Sequence, residues 1–268
     1  MSPLLRTIDA YLDAVPRSAT VTETIGPFTL FVNGGGGWRY YARPALGRTA
    51  FEAREVTAVV ERQSALGQPQ ELEWIVEVTP GVGPAAGAAG LAVVERPLLH
   101  LSGETTPGGP LPADVSVRLA SVDDDDLAML TAVAEVGFGS PGTAESSIGV
   151  EALAAAAREV DPTNVDFLRR RMKLGLTYMM VAFDQGVPVA TGSHQPLQGA
   201  SELVGIACLP AYRRRGLGAA ITRALAGDAR ARGVSTIFLS AGDESVAKIY
   251  ERVGFQRIGS VGAAAPGG

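Results

Sequence analysis

A chain of 268 residues, 46 % apolar and 19 % charged with a net charge of −5, carries enough apolar mass for a sizeable core and lacks the basic balance of a general nucleic-acid binder. Its single cysteine, Cys208, excludes an internal disulfide and a cysteine-rich zinc site. No apolar run reaches the roughly 18 residues of a membrane span. The opening MSPLLRTIDAYLDAV lacks the basic-then-apolar order of a secretory signal, so no membrane partner and a reducing cytoplasm are expected.

In chain order, the glycine run of NGGGGWRYYARP (33–44) leads into an aromatic, strand-like stretch rather than a helix, so it reads as a hairpin turn and not as a nucleotide loop. EVTAVVERQSALG has helical periodicity, ELEWIVEV reads as a strand, PGVGPAAGAAG as a short helical turn and LAVVERPLLHL as a strand. The Ser, Thr, Pro and Gly of SGETTPGGPLPAD (102–114) have linker composition. The expected division is therefore an N-terminal α/β domain over 1–105, a linker over 106–113, a second domain over 114–261 and a flexible tail over 262–268. No regular short repeat is present, which excludes a solenoid.

The second half is more legible. VSVRLAS alternates like a strand, and SVDDDDLAMLTAVAEVGF reads as a helix capped by Ser121 or an early Asp. Its four acids suit the positive end of a helix dipole, a metal site being the sharper alternative. ESSIGVEALAAAAREV and NVDFLRRRMKLG are helical and broken near Pro162. TYMMVAFDQ and VPVATGSHQPL are strands joined across Asp184-Gln185-Gly186, and SELVGIACL is a third. GLGAAITRALAGDARARG is a helix ending at Gly233, STIFLSA a strand, ESVAKIYERV a shorter helix, and Gly254 leads into a closing strand, FQRIGSV.

This order sets LPAYRRRGLGAAITRAL (209–225) at a strand-to-helix junction, where free backbone N–H groups and the helix dipole make an anion site. Gly216 and Gly218 let a phosphate approach the backbone, and Arg213, Arg214 and Arg215 add forked donors. The Gly-Lys-Ser/Thr of a Walker loop and the three-glycine Rossmann spacing are both absent. The bland alternative is a solvated arginine loop.

The segment ACLPAYRRRGLGAA followed by SVAKIYERVGF resembles the GCN5-related N-acetyltransferase (GNAT) superfamily. Its Gln/Arg-x-x-Gly-x-Gly/Ala signature is matched by Arg213, Gly216 and Gly218, and its Tyr-x-x-x-Gly-Phe by Tyr250, Gly254 and Phe255. The resemblance implies a GNAT-like mixed sheet flanked by helices, preceded by the smaller α/β domain. It implies acetyl-CoA as acyl donor, no metal, a diphosphate on the loop Arg213, Arg214, Arg215, Gly216, Leu217, Gly218 and Ala219, and a pantetheine arm along the backbones of Ile206, Ala207 and Cys208. Gly205 is consistent with the bulge that splays strands in this family. Where the family often has Asn, this chain has Asp243, which loses a donor and adds charge near the cofactor.

An alkyl amine is protonated at neutral pH and needs a proton acceptor before it can attack a thioester. The oxyanion that forms is stabilised by a fixed N–H, and the departing thiolate by a nearby acid. By the resemblance, Tyr250 is that acid, Glu202 the base acting through ordered water, and the Ile206 amide the carbonyl polariser. Against these stand a core tyrosine and a solvated glutamate. His194 is the other titratable candidate. Cys208 has no visible His or Asn partner and reads as a small buried hydrophobe.

Strand, helix, strand, short helix and strand in the first half repeat the order of the second. Residues 1–105 therefore read as a reduced GNAT-like copy that walls the acceptor cleft; an unrelated α/β domain is the alternative. ARPALGRTAF stands where the arginine-glycine loop would be, so this copy should not hold coenzyme A. Two functions follow: acetyl transfer to a primary amine of a small molecule or peptide, or a non-catalytic acyl-CoA-binding sensor. The acceptor, the acyl length and a homodimer stay open.

Overall fold

The computed structural model describes residues 2–33, 37–140 and 142–267. Its elements are α1 (Pro3–Arg17), β1 (Thr20–Ile25), β2 (Phe28–Asn33), β3 (Arg43–Pro44), α2 (Ala53–Ala65), β4 (Leu72–Ile75), α3 (Val82–Ala88) and β5 (Leu91–His100). They continue as β6 (Val115–Leu119), α4 (Leu127–Phe138), α5 (Val150–Glu159), α6 (Pro162–Lys173), β7 (Tyr178–Asp184), β8 (Val187–Leu197) and β9 (Ala200–Cys208). A 3-10 turn (Pro210–Tyr212) leads to α7 (Leu217–Ala231), β10 (Thr236–Ser240), α8 (Glu244–Val253) and β11 (Gln256–Pro266). The chain is α/β, with a mixed sheet flanked by helices.

Two compact units form, with bounds that differ from the expected division. The break falls at Leu98/Leu99, and the first unit also takes Ser240–Gly242 and Arg257–Gly268. The second unit holds Leu99–Leu239 and Asp243–Gln256. Residues 262–266 are therefore not a frayed tail. β11 runs antiparallel to β4, with Val261 opposite Ile75, Gly262 opposite Trp74 and Ala264 opposite Leu72. Backbone pairing there satisfies groups that a free tail would leave to water.

In the first unit β1, β2 and β3 form one sheet, and β4, β11 and β5 lie side by side in that order. Phe28, Leu30, Val56, Val59, Leu72, Trp74 and Ala264 make its core. Residues 38–41 form no strand, and the expected turn over Gly34–Gly36 lies outside the described residues. The start of α2 is closed by its own carboxylate, since Glu55 Oε2 accepts from the Glu52 N–H at 2.8 Å. A helix mouth filled by an acid repels anions.

The second unit orders its strands β10-β9-β8-β7-β6, antiparallel except for the parallel pair β9 and β10. The hairpins turn on Gln185-Gly186 (φ 49 and 85°) and Gln198-Gly199 (φ 51 and 79°), left-handed pairs whose twist matches that of the strands. The aspartate run departs from expectation. α4 starts only at Leu127, and Asp126 at its cap makes no side-chain cap bond. Asp124 instead accepts from Arg118 at 2.8 and 3.2 Å and from the Ser121 N–H at 2.9 Å. Burial works against its charge, yet Arg118 and that amide hold the carboxyl below its ordinary value. Among the described residues no group of three or more His, Cys, Asp or Glu is arranged to hold a metal ion. No described helix is long and apolar enough to cross a membrane.

Candidate functional site

The parallel register of β9 with β10 pairs Ala200 with Thr236, Ser201 with Ile237 and Glu202 with Phe238, and ends there although β9 continues to Cys208. On its other edge β9 pairs with β8 as far as Cys208 opposite Ala190. That register slips between Thr191–Ala207 and Ser193–Val204, so Gly205 and Ile206 together face Gly192. Two residues against one is a β-bulge, and Gly205 adopts the φ of +64° that bulges often ask of glycine. The Ile206–Cys208 stretch thus has no strand partner on the β10 side in the register, leaving backbone groups for a ligand.

Gly192 has a second use. A Cβ there would lie 2.9 Å from both Ile206 Cγ1 and Ile221 Cγ2 and 3.0 Å from Leu225 Cδ1, so its hydrogen lets α7 settle on the bulge. Beyond β9, Arg214 (φ +62°) and Gly216 (φ +80°) both take left-handed conformations and turn the chain into α7. No side chain caps this helix, and its first backbone bond runs from the Ala220 N–H to the Gly216 carbonyl at 3.0 Å. The leading amides of Leu217, Gly218 and Ala219 therefore lie ahead of the helical ladder. Nothing stands within 4 Å of a Cβ built on Gly216 or Gly218, so the mouth is open, while Leu217 buries its side chain in the core. With the dipole aligned behind it, this mouth has the free donors and positive potential that suit an anion.

The three arginines differ from one another. Arg213 donates its guanidinium to the carbonyls of Gly137, Ser140 and Ala144 at 2.9, 2.6 and 3.1 Å, and its N–H to Pro210 at 3.3 Å. Arg215 lies 4.9 Å over the Tyr212 ring, donates to the Ala211 carbonyl at 3.1 Å and sits 3.9 Å from Glu145. Arg214 is exposed. All three are expected to face a ligand, and for Arg213 three guanidinium contacts run instead to carbonyls within the protein.

Asp243 departs in the same way. Its Oδ1 accepts from the Ser245 and Val246 amides at 2.7 and 2.9 Å and from the Ser245 hydroxyl at 2.6 Å, as the N-cap of α8. The hydroxyl and the amides hold its carboxyl below the usual range. Where the family's Asn offers a donor, this chain has a helix cap.

Tyr250 is buried on α8 with Phe255 edge-on at 6.3 Å, and burial pushes its phenol up to about 12. Glu202 is half-buried at the last paired position before β9 and β10 part. The Cys208 thiol is raised to about 11, burial outweighing the pull of Arg213 and Arg215, so it stays protonated and is no nucleophile at neutral pH.

His194 is fully buried within the sheet. Its Nε2 lies 2.8 Å from Asp228 Oδ2, its Nδ1 3.0 Å from Ser201 Oγ, and its ring stacks on Tyr178 at 5.2 Å. Arg232 completes the group, 2.6 Å from Asp228 and over the Tyr178 ring. The tautomer protonated on Nε2 donates to Asp228 and leaves Nδ1 to accept from Ser201, which is a structural tie between α7, β8 and β9. A cleft of about 350 Å³ lined by Tyr178, Gly199, Arg232 and Gly233 adjoins this cluster. It lies at the C-terminal end of α7, where the dipole disfavours an anion.

Burial lowers the His194 pKa more than Asp228 raises it, so its folded value lies below the unfolded one. The neutral ring stabilises the fold above roughly pH 6.5, and that contribution is lost as pH falls through the folded pKa. Wild-type Tm should therefore drop between pH 7 and 5, and His194→Gln should be less stable at pH 7.5 but flatter over that interval. Parallel curves in differential scanning calorimetry would refute this.

Residues 150–255 match the model of the Acetyltransferase (GNAT) family. No curated protein sequence matches significantly. Among solved structures, a GCN5-related N-acetyltransferase from Kribbella flavida is similar over 100 % of this chain and 97 % of its own, at 23 % identity and a TM-score of 0.68. A GNAT-family protein of Novosphingobium aromaticivorans covers 98 % and 97 % at 19 % identity and TM-score 0.54. A tandem GNAT protein from the clavulanic acid biosynthesis pathway covers 90 % and 79 % at 14 % and 0.53. The bulged strand, the open glycine mouth of α7 and the matched segment agree: residues 150–255 are similar to the GNAT acetyltransferase family, and the chain shares the fold of solved GNAT proteins.

Proposed function

We propose that the second unit transfers an acetyl group from acetyl-CoA to a primary amine of a small molecule or peptide by direct attack on the thioester. The observation that carries this reading is the parting of β9 from β10 immediately before an uncapped, glycine-opened helix mouth. The chemistry of the two donor sets suits the two parts of the molecule: amides of Leu217, Gly218 and Ala219, with the exposed Arg214, for the diphosphate, and the Ile206–Cys208 backbone for the amide-bearing arm. Bound acetyl-CoA supplies the activated acyl group.

The remaining work falls to the protein. The Ile206 N–H, lifted out of register by the bulge, is the donor for the developing oxyanion. Glu202 takes the proton of the incoming amine, through water. Tyr250, protonated throughout the working range, donates to the departing thiolate. The Glu55 carboxylate at the start of α2 leaves that helix unsuited to a phosphate.

Calorimetric titration of the full chain with acetyl-CoA, followed by thiol release with a panel of primary amines, tests the reading. Binding in the micromolar range and amine-dependent thiol release are expected. Heat without thiol release from any amine would replace the enzyme by an acyl-CoA-binding sensor; no heat with acetyl-CoA or a longer thioester would remove both.

A further inference from the structure

Three consecutive arginines at one loop look interchangeable, yet the chain gives them separate occupations. Building on the acyl-CoA reading of this loop, we propose that Arg213 is a positioning residue rather than a phosphate ligand. It straps residues 137–140 and 142–149 to the 210–216 loop, so that ligand binding on the loop and ordering of these residues are coupled.

The strap has several independent ties. The Arg213 guanidinium gathers the carbonyls of Gly137, Ser140 and Ala144, so both terminal nitrogens of its planar fork are engaged on one short stretch of chain. Gly137 lies in the last turn of α4, where carbonyls lack helical partners, so the same guanidinium caps that helix. Two backbone bonds run alongside, from the Ala211 N–H to Ile148 at 2.9 Å and from the Ser146 N–H to Pro210 at 3.4 Å. Gly149 closes on the loop as well, since a Cβ there would stand 3.3 Å from Ala211 Cβ.

The other end of the segment rests on β9. A Cβ at Gly137 would meet Ala207 Cβ at 2.8 Å and the Cys208 carbonyl at 3.2 Å. One stretch of chain thus touches both the strand assigned to the thioester arm and the loop assigned to the diphosphate. Whatever fixes the loop fixes the segment, and by reciprocity an ordered segment favours the ligand.

Hydrogen–deuterium exchange on the full chain, with and without acetyl-CoA, reads this directly. In the wild type, acetyl-CoA should slow exchange in peptides spanning 137–149 as well as 214–219. In Arg213→Gln and in Arg213→Lys, the 137–149 region should exchange about tenfold faster without ligand. Its ligand-induced slowing should vanish while that of 214–219 persists, and the calorimetric Kd for acetyl-CoA should change by less than about threefold. Lysine keeps the charge and loses the fork, so it would rescue a phosphate contact and cannot rescue a strap. The proposal is overturned by a Kd about tenfold weaker in Arg213→Gln and restored in Arg213→Lys, with exchange of 137–149 unchanged. Protection lost evenly across the whole chain in both variants overturns it too, because the effect would then be general. Should the wild type fail to bind acetyl-CoA, the acyl-CoA reading falls, and the ligand-free comparison still decides the strap.

Discussion

Tyr250→Phe should lower amine-dependent turnover by roughly 10²–10³-fold while the Kd for acetyl-CoA stays within about threefold. The substitution removes one oxygen from a ring held by burial and by Phe255, so the packing that positions α8 is retained. On the proposed mechanism, what is lost is the proton donated to the thiolate as the C–S bond breaks. A thiolate leaves with a pKa near 8.5, so unassisted departure is slow but not prohibited, which bounds the loss. Burial has a second consequence for the pH profile. Because the phenol stays protonated up to about 12, Tyr250 imposes no alkaline limb in the usual assay range. The rate should rise as the amine substrate loses its proton and show no decline between roughly pH 8 and 10. Equal losses of turnover and affinity in Tyr250→Phe, or a fall in wild-type rate above roughly pH 8.5, would take the acid role away from this residue.

Gly262→Ala should destabilise the first unit by about 3 kcal/mol, the upper end of what overpacking one methyl costs. A Cβ at this position would lie 2.3 Å from Trp74 Cε2 and 2.4 Å from its Cζ2. The indole cannot step aside, since Trp74 is fully buried among Leu72, Val82 and Ala264. Either β11 leaves its register with β4 or the indole leaves the core. Urea denaturation followed by tryptophan fluorescence should show an earlier transition. Trp74→Phe placed in the Gly262→Ala background should recover part of the loss, as two residues in contact do in a double-mutant cycle. A midpoint equal to that of the wild type would show that the backbone of β11 yields instead.

The second unit was largely readable because its turns, bulge and helix mouth constrain local residue choice. Gly216 is needed where the chain turns left-handed into α7, Gly205 where a strand must bulge, and Gln185-Gly186 where a hairpin must turn left-handed. Each leaves a mark at a fixed spacing. The aspartates before α4 misled, because an acid ahead of a helix serves equally as cap or as ion-pair partner, and Arg118 decides between them only in three dimensions. Arg213 was placed in the ligand loop by its motif, while its carbonyl partners lie about seventy residues away and carry no side-chain signature. His194 was visible as a titratable residue, but Asp228 and Arg232, spaced i,i+4 on α7, read as an ordinary helix-surface pair.

The first unit left fewer marks. α1 and the β1–β2 hairpin carry no motif, only apolar periodicity. In GSVGAAAPGG the small residues have the composition of a loose end, and their purpose appears only against Glu77 and Trp74, which fill the space a side chain at Gly259 or Gly262 would need. Local pattern says that a segment is a strand; it does not say which neighbour the strand will choose.

That choice bears on the order of assembly. Since β11 lies between β4 and β5, residues 72–98 wait for residues 257–266 before β4 and the facing edge of β5 are paired. Until then two hydrogen-bonding edges stand open to any other extended peptide, so a nascent or truncated polypeptide is sticky in a way the finished one is not. Vectorial synthesis, which usually lets an earlier segment mature before a later one, here leaves the first unit to be sealed after residues 99–239 have emerged.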